Sequence, residues 1–144
     1  MKSRSLIALS LGILATVATV TWAQKPVPLS TLPFSPGKKA GPTLYVSGQV
    51  PRTADGQDVR ESVEAETRQV MENIGRVLQQ HGYGFDDVVS STVYLKDIND
   101  YAEMNKVYAS YFKNGFPARA TVGGAQIVFG FRVEISCIAY KASQ

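Results

Sequence analysis

The sequence predicts an α+β domain in which one sheet carries two helices on a single face. Two stretches repeat apolar residues at helical spacing, and four others are rich in β-branched and aromatic residues. They follow in the order β-α-β-α-β-β, with no internal repeat or low-complexity tract. At 144 residues the chain suits one domain, and 44% hydrophobic with 19% charged residues is the balance of a chain that buries a core.

The elements come in turn. Lys2 and Arg4 form a short basic region, and Leu6 to Val20 is an apolar run broken by Ser10, Gly12, Thr16 and Thr19. Thr21-Trp22-Ala23 places small residues at the first and third positions before Gln24. This succession predicts a signal peptide over residues 1–23, and hence a periplasmic or secreted chain, off the membrane once cleaved. The alternative is an uncleaved anchor, although the apolar run is short for a span. Residues 24–42 carry five prolines with Gly37 and Gly41, which predicts an extended N-terminal arm without an element of its own. The domain proper is then 43–144.

Thr43 to Val50 is the first strand, stopped by Pro51, and Asp55-Gly56 tips the polar turn that follows. Ser62 caps a helix whose stripe is Val63, Thr67, Val70, Met71, Ile74, Val77 and Leu78, with Glu64, Glu66, Arg68, Glu72 and Arg76 facing away. His81-Gly82 ends it, where a histidine complements the helix dipole. Val88 to Leu95 is a strand. A second helix, from about Asn99 to Lys113, has Tyr101, Met104, Val107, Tyr108, Tyr111 and Phe112 on its apolar side and stops at Asn114-Gly115. Strands at Ala118–Val122 and Arg132–Tyr140 close the chain, with Gly123, Gly124 and Gly130 between them.

On the last strand Val133, Ile135, Cys137 and Ala139 point to the helices, and Arg132, Glu134, Ser136, Ile138 and Tyr140 point away. The second face therefore exposes an apolar patch in a lone subunit, which predicts self-association.

Charge and composition exclude several classes. The formal charge is +3, and Lys2 and Arg4 supply two of the 15 basic residues, so the rest nearly balance the 12 acids. No nucleic-acid partner is implied. One cysteine (Cys137) and one histidine allow neither an internal disulfide nor a recognisable metal site.

Arg119, near the start of a strand just after a proline, offers a planar fork of donors that pairs bidentately with a carboxylate; the plain alternative is a solvated surface arginine. Glu134 is a mid-strand carboxylate between apolar neighbours, placed to orient or deprotonate water, or else to form an ion pair with Arg132 or Arg119. Gly48 lets the backbone approach a ligand, or marks a bulge or strand end. Asn105 is either a cleft residue or a solvent-facing one.

Four segments carry a resemblance. Leu44-Tyr45-Val46-Ser47-Gly48-Gln49, Asn105-Lys106-Val107-Tyr108, Phe116-Pro117-Ala118-Arg119 and Val133-Glu134-Ile135-Ser136-Cys137-Ile138-Ala139 stand in the order and spacing of the Rid (YjgF-like, reactive intermediate deaminase) family, and the likeness covers nearly all of Phe34 to Tyr140. The chain thus resembles an exported member of that family. The resemblance implies a chorismate-mutase-like α+β subunit, a homotrimer whose sheets form a barrel, and ligand clefts between neighbouring subunits. It implies hydrolysis of 2-imino and enamine carboxylates to 2-keto acids and ammonia, without cofactor or metal.

Carried over residue by residue, Arg119 and Glu134 are the catalytic pair, and Gly48, Arg119, Thr121, Phe34 and Asn105 bind the small imino or keto acid. The chain departs from the family at Phe34, where deaminases usually carry a tyrosine whose hydroxyl holds water or ligand. It departs also at Thr121 and Ala120, where many members have cysteine and serine, and at Ile127-Val128, which replaces a Leu-Pro pair. The competing readings are a non-catalytic sensor of small carboxylates, a ribonuclease as attributed to some members, and a holdase-like protein. For the ribonuclease, a single histidine and the near-neutral charge supply few groups.

Overall fold

The computed structural model describes residues 33–142; the expected signal peptide lies outside them. Seven elements follow in order: β1 (Gly37–Ala40), β2 (Thr43–Gln49), α1 (Val63–Gln80), β3 (Val88–Leu95), α2 (Tyr101–Ala109), β4 (Ala118–Val122) and β5 (Val133–Tyr140). They form a mixed five-stranded sheet of order β1-β2-β5-β3-β4, with both helices on one face. The α+β class read from the sequence is the fold observed.

Three differences have local causes. The expected arm contains a strand: Pro36 and Pro42 flank β1, but none of its own residues is proline, so its amides are free to pair with β2. Gly41, at φ 57°, turns the chain between Ala40 and Thr43. The second helix is shorter than its apolar stripe. A 3-10 turn over Ile98–Asp100 leads into it, and at its end the Ser110 hydroxyl donates to the Val107 carbonyl at 2.6 Å while successive amides bond three residues back. Tyr111 and Phe112 still pack on the core from this turn.

The third difference is Glu66, expected to face away. It is buried, 2% exposed, and its Oε2 accepts from the Arg132 backbone N–H at 2.7 Å. Asn73, one face further along α1, donates from Nδ2 to the carbonyls of Val50 and Arg52 at 3.0 and 2.8 Å. Both residues satisfy backbone groups where the chain enters or leaves the sheet, which is why polar side chains sit on the buried side of an otherwise apolar helix. The Ser62 hydroxyl accepts from the Ala65 N–H, capping α1 as its sequence predicts.

The core lies between the helices and Leu44, Val46, Val93, Leu95, Val133, Ile135, Cys137 and Ala139 of the sheet. β5 alternates as expected, buried toward the helices and partly open on the far side. Neither α1 nor α2 covers that far face, where Tyr45, Val89, Tyr94 and Tyr140 stand exposed at 50, 48, 37 and 49%. Consecutive β4 and β5 are not neighbours. β5 runs between β2 and β3, antiparallel to both, while β4 pairs in parallel with β3 at the sheet edge.

Candidate functional site

That strand order separates the two residues most charged with chemistry. Register Ser91↔Arg119 and Val93↔Thr121 puts Arg119 and Thr121 on the helix side of the sheet, because paired residues of parallel strands point the same way. Register Tyr94↔Glu134 puts Glu134 on the open face. Within one chain, therefore, the structure does not bring Arg119 and Glu134 together. It builds two half-sites on opposite faces.

The first half-site is basic and aromatic. The Arg119 guanidinium lies over the Tyr108 ring at 4.7 Å from its centroid, and its Nη2 donates to the Tyr101 hydroxyl at 3.2 Å. Tyr108 is itself fixed, buried to 3% exposure and sharing a 2.7 Å hydrogen bond with Ser91 Oγ. Asn105, one helical turn after Tyr101, brings its side chain to the same phenol. Asn105, followed by the charge and hydrogen bond of Arg119, holds the Tyr101 hydroxyl below the ordinary phenol range. No carboxylate among the described residues pairs with Arg119. The guanidinium is positioned by rings and a hydroxyl.

The second half-site is acidic. Gly48 sits beside Glu134 so closely that a Cβ there would run into the carboxyl group, whose carbon lies 2.9 Å from the position it would take. A side chain at 48 would have to displace that carboxyl group, and the bulge reading of the same residue also holds, since the β2–β5 register shifts between Val46 and Gln49. The Ser47 N–H and hydroxyl both donate to the Pro36 carbonyl, at 2.9 and 3.2 Å. This ties down the segment that begins with Phe34, which is exposed. Glu134 forms no ion pair with Arg132, whose guanidinium instead meets Asp100 at 3.5 Å, nor with Arg119. Burial without a compensating cation pushes its carboxyl above the usual carboxylate range.

Of the residues expected at the site, Arg119, Thr121 and Asn105 share the first half-site, Gly48 and Glu134 share the second, and Phe34 stands exposed two residues before Pro36. The residue that sequence reasoning misses is Tyr101, which reads as part of an apolar stripe. Its spacing of four from Asn105 is the available signal.

Two cavities lie apart from Arg119, Gly48 and Glu134. The enclosed space between helices and sheet, bordered by Ile74, Phe85, Tyr108, Phe112, Ile135 and Cys137, amounts to about 10 Å³, at most the room of one water. Cys137 faces this space with its thiol pushed up to about 12 by burial, so it is neither nucleophile nor ligand at neutral pH. A wider open groove of about 530 Å³ runs past Lys39, His81, Tyr83 and Lys141 and shares no residue with either half-site.

Comparison with known proteins agrees with the fold. The family profile described as Endoribonuclease L-PSP matches residues 24–141. A RutC family protein of Pyrococcus horikoshii is 44% identical over 110 residues, covering 76% of this chain and 87% of the relative. The 2-iminobutanoate/2-iminopropanoate deaminase of Bos taurus is 42% identical over 115 residues, covering 79% and 84%. The crystal structure of the YjgF gene product from E. coli superposes with a TM-score of 0.75 at 31% identity, covering 83% of this chain and 97% of that one.

Proposed function

Because this chain belongs to the Endoribonuclease L-PSP family, the YjgF/RidA proteins, we propose that it hydrolyses reactive 2-imino and enamine carboxylates to 2-keto acids and ammonia. The family and its named deaminases support imine deamination in general. The observation that carries the finer reading is the separation of the two charged groups. Among the described residues, a guanidinium that pairs with no carboxylate and a carboxylate that pairs with no cation lie on opposite faces of one sheet.

In the arrangement we propose, three subunits associate through the open sheet faces, and Arg119 of one subunit meets Gly48 and Glu134 of the next. The Arg119 fork takes the substrate carboxylate, with Asn105 and Thr121 beside it. The Gly48 N–H is a donor for an oxygen of the bound acid. Glu134 takes a proton from water as the water oxygen adds to the C=N carbon. It returns that proton to nitrogen to give a carbinolamine, then carries the carbinolamine hydroxyl proton to nitrogen as C=O forms and the C–N bond breaks, and ammonia leaves with the keto acid behind. Enamine substrates first take a proton at carbon to become imines. An uncompensated, desolvated carboxylate suits this role, because its raised pKa makes it a stronger base once ionised.

The test is release of ammonia and keto acid from imino acids generated in place by an amino-acid oxidase, comparing wild type with Arg119→Ala. Turnover by the wild type that the substitution removes supports the reading. Absence of wild-type turnover across several imino acids leaves the sensor of small carboxylates, which Phe34 favours because a phenyl ring holds no water. In the enzyme reading Phe34→Tyr raises turnover; in the sensor it alters affinity only.

The reading also includes export, motivated by the basic, apolar and small-residue succession of residues 1–23. A substrate formed outside the cytoplasm by oxidation of amines or D-amino acids suits that location. Intact mass of protein recovered from the host envelope should lack residues 1–23, and a dominant species retaining Met1 contradicts export.

A further inference from the structure

We propose that Tyr101 is a second carboxylate-binding residue, its hydroxyl donating to the same substrate carboxylate that Arg119 grips. This rests on Arg119 as the carboxylate anchor and adds to it a residue that selects an ionised acid over its neutral analogues.

The hydroxyl is placed for the task by what surrounds it. Its oxygen accepts from Arg119 Nη2 at 3.2 Å, so its own proton is available for another acceptor. Arg119 is its one hydrogen-bond partner among the described residues, as a donor, and no acceptor among them takes its proton. Tyr101 is 42% exposed, so the phenol tip opens outward at the edge of the sheet. Its backbone is nonetheless fixed, because Met104 and Tyr108 on the same helix are fully or nearly buried.

The guanidinium plane is fixed as well, laid over the Tyr108 ring at 4.7 Å. A carboxylate that docks against the free N–H groups of Arg119 comes to rest beside the oxygen that Nη2 already touches. An O–H···O⁻ bond then forms without moving either side chain, and charge-assisted bonds of this kind are among the strong ones. The same neighbours that hold the phenol below its ordinary range make its proton a better one to offer. An amide in the carboxylate's place turns an N–H toward a donor and loses the contact.

The experiment measures pyruvate affinity by calorimetry for the full-length protein and for Tyr101→Phe, Arg119→Lys and the double variant, with thermal unfolding of each. Phenylalanine keeps the ring beside the guanidinium and removes only the hydroxyl. Tyr101→Phe should weaken pyruvate by about 10-fold, the scale of one hydrogen bond to a charged group, and by a smaller, still measurable factor in the Arg119→Lys background, because residues in contact couple. Its unfolding temperature should not change. Equal affinity in wild type and Tyr101→Phe overturns the proposal. So does a loss confined to the Arg119 background, which reduces the hydroxyl to positioning the guanidinium. Unchanged affinity in Arg119→Lys overturns the reading of Arg119 itself, and this proposal with it.

Discussion

If Arg119 grips a carboxylate through its fork, Arg119→Lys lowers imino-acid turnover about 30- to 150-fold, roughly 2–3 kcal/mol, as the ratio of kcat/KM reports. Glu134→Gln keeps pyruvate binding and removes turnover. The pH profile follows from the raised carboxyl. The ionised form is the base, so wild-type rate falls as pH drops through a value above the usual carboxylate range. A rate that stays level down to the ordinary value of 4.5 contradicts the assignment. These residues differ in how far the sequence betrays them. Glu134 stands out because a carboxylate interrupts an apolar alternation, and in the fold it is half-buried without a cation. Arg119 has no such local oddity; its significance is carried by the segment Phe116-Pro117-Ala118-Arg119, and the ring beneath it is visible only in three dimensions. Tyr101 is illegible because a helix stripe assigns aromatic residues to the core by default, and a phenol's polar tip does not alter that pattern.

Elements are legible where periodicity and punctuation agree. β3 and β4 begin and end where β-branched runs do, and α1 starts at Ser62 and stops before His81-Gly82. Pairing is not, because the order β1-β2-β5-β3-β4 depends on which strands bury apolar faces against α1 and α2 together, and no local signal encodes that. β4 and β5 are consecutive in the chain, yet β3 separates them in the sheet. Glu66 illustrates the same limit within a helix, since its partner is a backbone N–H 66 positions away. Burial raises its carboxyl above 4.5, with the Arg132 N–H only partly offsetting it. A folded-state pKa above the unfolded one favours the protonated folded form. The stability this adds is therefore complete below 4.5 and is lost as pH rises through the folded value. Glu66→Gln retains an oxygen for the Arg132 N–H and removes that decline, so chemical denaturation at acid and neutral pH should show a flatter profile than wild type. Glu66→Ala leaves the N–H without its acceptor and costs about 1–3 kcal/mol. An unchanged slope in Glu66→Gln removes Glu66 from the pH dependence.

At the scale of the molecule, the bare sheet face is legible in β5 alone, and the fold extends it across Tyr45, Val89, Tyr94 and Tyr140. Large apolar side chains sealed between subunits contribute about 1.5–3 kcal/mol each, enough in sum to favour assembly over isolated chains. Light scattering at micromolar concentration should give three times the subunit mass, and a monomer contradicts both the barrel and the shared cleft. What the sequence does not disclose is that Arg119 and Glu134 lie on opposite faces, because that depends on strand order and register together. The central claim is that each active site takes Arg119 from one chain and Glu134 from another, and subunit mixing tests it most directly. Arg119→Ala and Glu134→Gln chains, each inactive alone, are unfolded together in equal amounts and refolded. Every mixed trimer then holds one cleft in which an intact Arg119 meets an intact Glu134, so random assembly restores about a quarter of wild-type turnover. Turnover no greater than that of the two variants refolded separately contradicts the account.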